Sequence, residues 1–216
     1  MKEGDEVAAW LNGLGVHAAV LRYRTKEYGQ PAPLQDVLRA IRLLRTRAGD
    51  WQLKTDVLGV IGFSAGGHLA ACAATLYDHG AGRSGAEIDA VNARPDFAIL
   101  VYPVISMDGA SAHSGSRLNL LGANPSPELV ALYSPDLQVN EATPPLFLVH
   151  TVDDQTVDVS NSVAMFEAAR AAKTPVEMHL YETGPHGIGL RTEHPAAREW
   201  PKACASWLAR HEWIRP

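Results

Sequence analysis

Cysteine is scarce in this sequence, long apolar runs are absent, and charges of one sign do not cluster. The two cysteines among 216 residues, Cys72 and Cys204, both lie in apolar helical stretches. This placement indicates buried thiols and neither a disulfide framework nor a metal site.

No stretch approaches the roughly 18 apolar residues of a membrane span, so we expect no membrane partner. The 19 basic and 24 acidic residues give a net charge of -5 without a basic run, which excludes an electrostatic basis for binding nucleic acid. Small neutral molecules are the expected partners.

One glycine-rich turn organises what is present. The apolar, β-branched residues 57–63 predict a strand buried on both faces, and the pentapeptide GFSAG at 62–66 leads from it into a helical stretch at 68–74. A strand, the pattern Gly-x-Ser-x-Gly and a helix form the context of a nucleophile elbow, which lifts a serine hydroxyl clear of the backbone. A phosphate-binding turn is the alternative, but the Lys-Ser/Thr ending of a P-loop and the spacing of a dinucleotide site are missing. The motif therefore predicts that Ser64 is a nucleophile.

Strands and helices alternate along the chain. The predicted strands cover 16–21, 57–63, 97–104, 146–150 and 176–181, and the predicted helices cover 7–14, 33–48, 68–74, 163–172 and 195–214. This order predicts an α/β fold with a mostly parallel sheet and helices on both faces. We expect one domain over residues 1–216. Within it, a segment at about 106–142, rich in Gly, Ser, Asn and Pro, is expected to be a functional insertion with two short helices, near 116–121 and 127–133.

A catalytic serine needs a base that takes its proton and an acid that orients the base. In this fold class the acid and then the histidine follow the serine along the chain, each after a later strand. Asp153 and Asp154 follow the strand at 146–150, and the spacing Asp-x-x-Val to Val157 favours Asp154. His186 lies in a Gly/Pro loop after the last strand. The other histidines precede the acid, lie within a predicted strand, or flank or lie within the last predicted helix, so His186 is the expected base.

These motifs together resemble a known family. The segments GFSAGGHLA, TPPLFLVHTVDDQTV, YPVISMD to GSRLNLLG, and PHG are similar to α/β-hydrolase esterases of the acetyl xylan esterase and BD-FAE type. The resemblance implies an α/β-hydrolase fold, activity on small acyl esters such as carbohydrate acetates, and no metal or organic cofactor. It also implies that Ser64 is the nucleophile, Asp154 the acid and His186 the base. The backbone N–H of Ala65 matches one oxyanion donor.

One departure from the family is large. The resemblance implies several strands and a PGGG-type loop upstream of EGDEVAAWLNGLG, and this chain lacks them. We therefore expect an N-terminally shortened sheet and only one evident oxyanion donor. We expect one of two repairs of the sheet: either residues 16–21 pair directly with the elbow strand, or another copy of the chain fills the gap. Either repair favours homo-oligomerisation.

The leading expectation is a serine carboxylester hydrolase that forms an acyl-enzyme and prefers acetyl over long acyl groups, because the insertion at 106–142 is short and offers no broad apolar groove. A peptidase or an acyltransferase would use the same triad. The alternative from a different class is a catalytically weak or silent hydrolase-like fragment that serves as a binding or assembly module. We expect His186 within about 2.6 to 3.5 Å of both Ser64 and Asp154, with Asp153 pointing elsewhere.

Overall fold

The computed structural model describes residues 2–191 and 193–214. Glycine, proline and the apolar periodicity set the element boundaries. The helices are α1 (Lys2–Gly13), α2 (Ala32–Thr46), α3 (Ala65–Thr75), α4 (Ser114–Leu121), α5 (Pro127–Leu132), α6 (Ser160–Ala171) and α7 (Pro195–Arg210). The strands are β1 (Gly59–Phe63), β2 (Phe97–Val101), β3 (Leu146–Thr151) and β4 (Val176–Tyr181). Among the described residues, no helix combines the length and the apolarity needed to cross a lipid bilayer.

The four strands form one parallel sheet in the order β1-β2-β3-β4. Gly59 aligns with Phe97, Ala98 with Leu146, and Leu146 with Val176, so each strand follows its neighbour in sequence and in space. In a parallel sheet all strands end at one edge. The residues after β1, β3 and β4 therefore come together there, and these are the segments that hold Ser64, Asp154 and His186.

Helices cover both faces of the sheet, as the sequence predicts. Because side chains alternate along a strand, Ala98 and Leu100 of β2 face α3 and α6, whereas Ile99 and Val101 face the opposite layer. On that second face the tryptophans of α7 pack against β2 and β3, and Trp10 of α1 joins them. The alanine-rich α3 lets its backbone lie close to the sheet. This architecture agrees with the α/β-hydrolase fold that the resemblance implies.

The predicted strand at 16–21 is wrong. These residues form no regular element, and within residues 2–191 and 193–214 the only strand that pairs with β1 is β2. The reason lies in how this segment is anchored. Leu21 and Tyr23 pack against the core cluster between α2 and α3, and Arg24 forms an ion pair at 2.7 Å with Asp36 of α2. A strand needs a backbone partner, and among the described residues the sheet contains only β1 to β4, so residues 16–21 do not pair with the elbow strand.

Two other strand predictions need correction. β1 was expected to be buried on both faces, but four of its five residues are only partly buried because it is an edge strand. β2 ends at Val101 and not at residue 104, since Tyr102 has a positive φ of 38° and Pro103 cannot donate to a ladder. The predicted insertion contains α4 and α5, close to the expected positions.

Candidate active site

The turn between β1 and α3 presents Ser64 in a strained conformation. Ser64 has φ 54° and ψ -121°, a region that side chains other than glycine rarely occupy. Such strain costs about 1 to 3 kcal/mol and persists only where the surroundings impose it. Here a Cβ on Gly62 would overlap the carbonyl oxygen of Gly66, and a Cβ on Gly67 would lie 2.8 Å from Pro103. The two glycines therefore allow the sharp turn that exposes the Ser64 hydroxyl.

The structure brings the three predicted side chains into one hydrogen-bonded row. The Ser64 Oγ lies 2.8 Å from Nε2 of His186, and Nδ1 of His186 lies 2.7 Å from Oδ2 of Asp154. Because a carboxylate can only accept, Nδ1 carries the proton and Nε2 is left as the acceptor for the serine hydroxyl. Both distances lie within the expected range. The arrangement can transfer the Ser64 proton to His186 as the serine oxygen attacks an electrophile.

Asp154 is buried and held from several sides. Its Oδ1 accepts the backbone N–H groups of Thr156 at 2.8 Å and Val157 at 3.0 Å, which accounts for the Asp-x-x-Val spacing in the sequence. Burial acts to raise the pKa of Asp154, but the hydrogen bonds from His186 and these N–H groups outweigh it and hold the pKa below its ordinary value. Asp154 therefore stays ionised beside His186.

His150 is a part of this site that sequence reasoning missed. Its position before Asp154 in the sequence excluded it as the base, and no other role was considered for it. It is fully buried at the end of β3, with Nε2 at 2.9 Å from the Val157 carbonyl and 3.4 Å from Oδ2 of Asp154. Its Nδ1 lies 2.8 Å from the Ser162 hydroxyl. Burial is the largest influence on the pKa of His150 and lowers it, so a neutral ring lies behind the carboxylate.

The loop that carries His186 is fixed two residues earlier, at Gly184. The Gly184 N–H donates to Oδ1 of Asp153 at 2.7 Å, and the Gly184 carbonyl accepts the Thr151 hydroxyl at 2.7 Å. Asp153 therefore points away from His186, as expected, but it still contacts the same loop. The ring of Tyr102 also packs edge-on against His186, with centroids 5.0 Å apart. Tyr102 is the first residue of the segment YPVISMD that resembles the family, and its position directly after β2 places it at the site edge of the sheet.

Comparison with known proteins identifies the family. The model of the BD-FAE family matches residues 7–169, about three quarters of the chain. The chain belongs to the BD-FAE family. This finding confirms the resemblance seen in the sequence.

Individual relatives of this BD-FAE chain are named as esterases. It is 34% identical to an acetylxylan esterase of Xylanibacter ruminicola over 210 residues, which is 95% of this chain but 41% of the length of that relative. The crystal structure of an acetyl ester-xyloside bifunctional hydrolase from Caldicellulosiruptor lactoaceticus is 41% identical, with a TM-score of 0.93 over 99% of this chain and 79% of that one. The carboxylesterase Cest-2923 from Lactobacillus plantarum is 25% identical, with a TM-score of 0.84 over 100% of this chain and 82% of that one.

A cavity of about 240 Å³ lies beside the elbow of this BD-FAE domain. Ala65, His68, Leu69 and Cys72, which share one face of α3, form one wall of it. His68 is not a candidate base, because its Nε2 bonds the Tyr133 carbonyl at 2.8 Å and its ring is buried. Ala65 is the first residue of α3, so its N–H has no intrahelical acceptor and is available to a ligand.

Proposed function

We propose that this chain is a serine carboxylester hydrolase that acts through an acyl-enzyme. The observation that carries the proposal is the row formed by the Ser64 hydroxyl, His186 and Asp154, at 2.8 and 2.7 Å, on a strained elbow. The names of the relatives support an ester as the substrate. Acetyl esters of carbohydrates are included in the proposal because two of those names specify acetylated xylan or a xyloside.

In the proposed mechanism His186 takes the Ser64 proton on Nε2 while the serine oxygen attacks the ester carbonyl carbon. The carbonyl oxygen becomes an oxyanion, which the N–H of Ala65 stabilises together with the positive end of α3. His186, oriented by Asp154, then donates the proton to the leaving alcohol oxygen, and the carbon–oxygen bond to the alcohol breaks. Water enters, loses its proton to His186, and releases the acid from Ser64 by the same steps in reverse order.

Labelling with a fluorophosphonate probe tests the nucleophile directly. We expect wild-type protein to be modified at Ser64 and to hydrolyse p-nitrophenyl acetate, whereas Ser64→Ala loses both properties. Ser206→Ala, which removes an exposed hydroxyl on α7, is the matched control and should behave like wild type. Absence of labelling in folded wild-type protein, or full turnover by Ser64→Ala, would contradict the serine mechanism.

The open edge of β1 supports a second proposal, that copies of the chain associate through it. Within the described residues this strand has one neighbour, and an unpaired strand edge is a template for pairing with another chain. Exposed apolar residues lie close by in the sequence, with Val57 38% exposed directly before β1. Light scattering during size-exclusion chromatography should give the mass of a dimer or larger assembly. A monomer mass at micromolar concentration would rule this proposal out.

A further inference from the structure

The cavity beside Ala65 is apolar along most of its walls. Besides Leu69 of α3, it is lined by Pro33 and Leu34 of α2 and by Met107 and Leu120 of the insertion. Polar residues such as Asn119 and Thr25 also border it, and both are exposed to solvent. A cavity with an apolar lining and a polar border fits an apolar group that enters from the solvent side.

The positions of Ser64 and His186 decide which part of an ester can occupy this cavity, provided that the proposed function holds. The reacting carbonyl carbon must lie at the Ser64 Oγ, and the leaving alcohol oxygen must lie near Nε2 of His186 to receive its proton. Neither Ser64 nor His186 lines the cavity, whereas Ala65, the residue directly after the nucleophile, does. With the leaving alcohol at His186, the acyl chain would extend past Ala65, along α3 and into the cavity.

We infer that this cavity binds the acyl chain of the substrate and that the enzyme prefers unbranched apolar acyl groups longer than acetyl. The volume supports this preference, since about 240 Å³ is more space than a single methyl group fills. An acetyl group would place one methyl in the cavity and leave most of the apolar wall without contacts. The cavity thus argues against the preference for acetyl groups that the short insertion suggested.

A series of p-nitrophenyl esters with acetyl, butyryl, hexanoyl and octanoyl groups tests the inference. Burial of each added methylene is worth about 0.8 kcal/mol, which corresponds to an increase in kcat/KM of about fourfold. We expect kcat/KM to rise from acetyl to hexanoyl and to level off or fall when the cavity is filled. The leaving group is the same throughout, so the series reports on the acyl side alone.

Neighbouring positions on α4 provide a matched pair of variants. Asn119 lines the cavity, whereas Leu118, which is 56% exposed, does not. Asn119→Trp should obstruct the cavity and lower the ratio of hexanoyl to acetyl kcat/KM by about four- to sixteenfold, the effect of losing one or two methylene sites at about fourfold each. Leu118→Trp adds the same indole to the same helix and should leave that ratio unchanged. Circular dichroism establishes that each variant is folded.

Two results would overturn the inference and leave the proposed function unaffected. One is a wild-type kcat/KM that falls steadily from acetyl to hexanoyl. The other is an Asn119→Trp variant that has the wild-type ratio of hexanoyl to acetyl kcat/KM. The wild-type series decides the matter even if Asn119→Trp does not fold. If no ester in the series is hydrolysed and a fluorophosphonate does not label Ser64, the proposed function itself is wrong.

Discussion

The contact between Asp153 and Gly184 yields a prediction about how His186 is positioned. The Asp153 carboxylate accepts the Gly184 N–H at 2.7 Å, and Gly184 precedes His186 by two residues. A Cβ on Gly184 would lie 2.7 Å from Thr151 Cγ2, so the loop is also packed closely against the end of β3. We predict that Asp153→Ala loosens this loop and lowers kcat, although Asp153 is not itself a catalytic residue.

The size of the effect follows from the lost hydrogen bond. A hydrogen bond to a charged group is worth about 1.5 to 3 kcal/mol, and the exposed position of Asp153 argues for the low end. If about 1.5 kcal/mol is lost in the positioning of His186, kcat falls about tenfold. KM should change little, because His186 acts in the proton-transfer steps and does not line the acyl cavity. Asp153→Asn retains an oxygen that accepts the Gly184 N–H, so it should restore most of the rate.

Steady-state kinetics with p-nitrophenyl acetate and the rate of fluorophosphonate labelling measure this effect. Asp158→Ala is the matched control, since its exposed carboxylate also accepts a backbone N–H, that of Ser160 at 2.8 Å, but this contact lies at the start of α6 and not in the loop that carries His186. A general loss of stability would lower the melting temperature without separating kcat from KM. The positioning role is refuted if Asp153→Ala keeps the wild-type kcat, or if Asp153→Asn is impaired as strongly as Asp153→Ala.

Two further predictions concern stability. Burial lowers the pKa of His68 to about 4, against the opposing influence of its hydrogen bond to the Tyr133 carbonyl, so between about pH 6.5 and 4 the unfolded chain binds a proton that the folded chain does not. The contribution of His68 to the free energy of unfolding should therefore fall by about 3 kcal/mol as the pH decreases through this window. Urea titrations at several pH values should show that the free energy of unfolding depends less steeply on pH in His68→Gln than in wild type. An equal pH dependence of the two proteins would contradict the assignment. The Tyr133 hydroxyl is buried without a hydrogen-bond partner in the described structure, so Tyr133→Phe should raise the free energy of unfolding by about 1 kcal/mol. A clear decrease in melting temperature would show that this hydroxyl has a partner after all.

The fold class and the positions of the three site residues were predictable from the sequence because local patterns determine them. The Gly-x-Ser-x-Gly motif locates Ser64 between a strand and a helix. Because parallel strands all end at the same edge of a sheet, the segments that follow them lie together at that edge. Asp154 could be preferred over Asp153 because the Asp-x-x-Val spacing matches a turn in which the carboxylate accepts the N–H of Val157. Each of these signals lies within a few residues along the chain.

The parts that could not be predicted depend on contacts between distant segments. Residues 16–21 are as apolar and β-branched as many strands, but a strand requires a neighbour that pairs with its backbone, and the ion pair of Arg24 with Asp36 holds this segment elsewhere. The bond from Gly184 to Asp153 likewise joins residues 31 positions apart. Neither contact leaves a local pattern, since the same side chains would fit a solvent-exposed turn equally well. The site therefore combines a motif that is local in sequence with a supporting loop contact that only the folded chain creates, and the kinetics of Asp153→Ala measure that second contribution separately from the first.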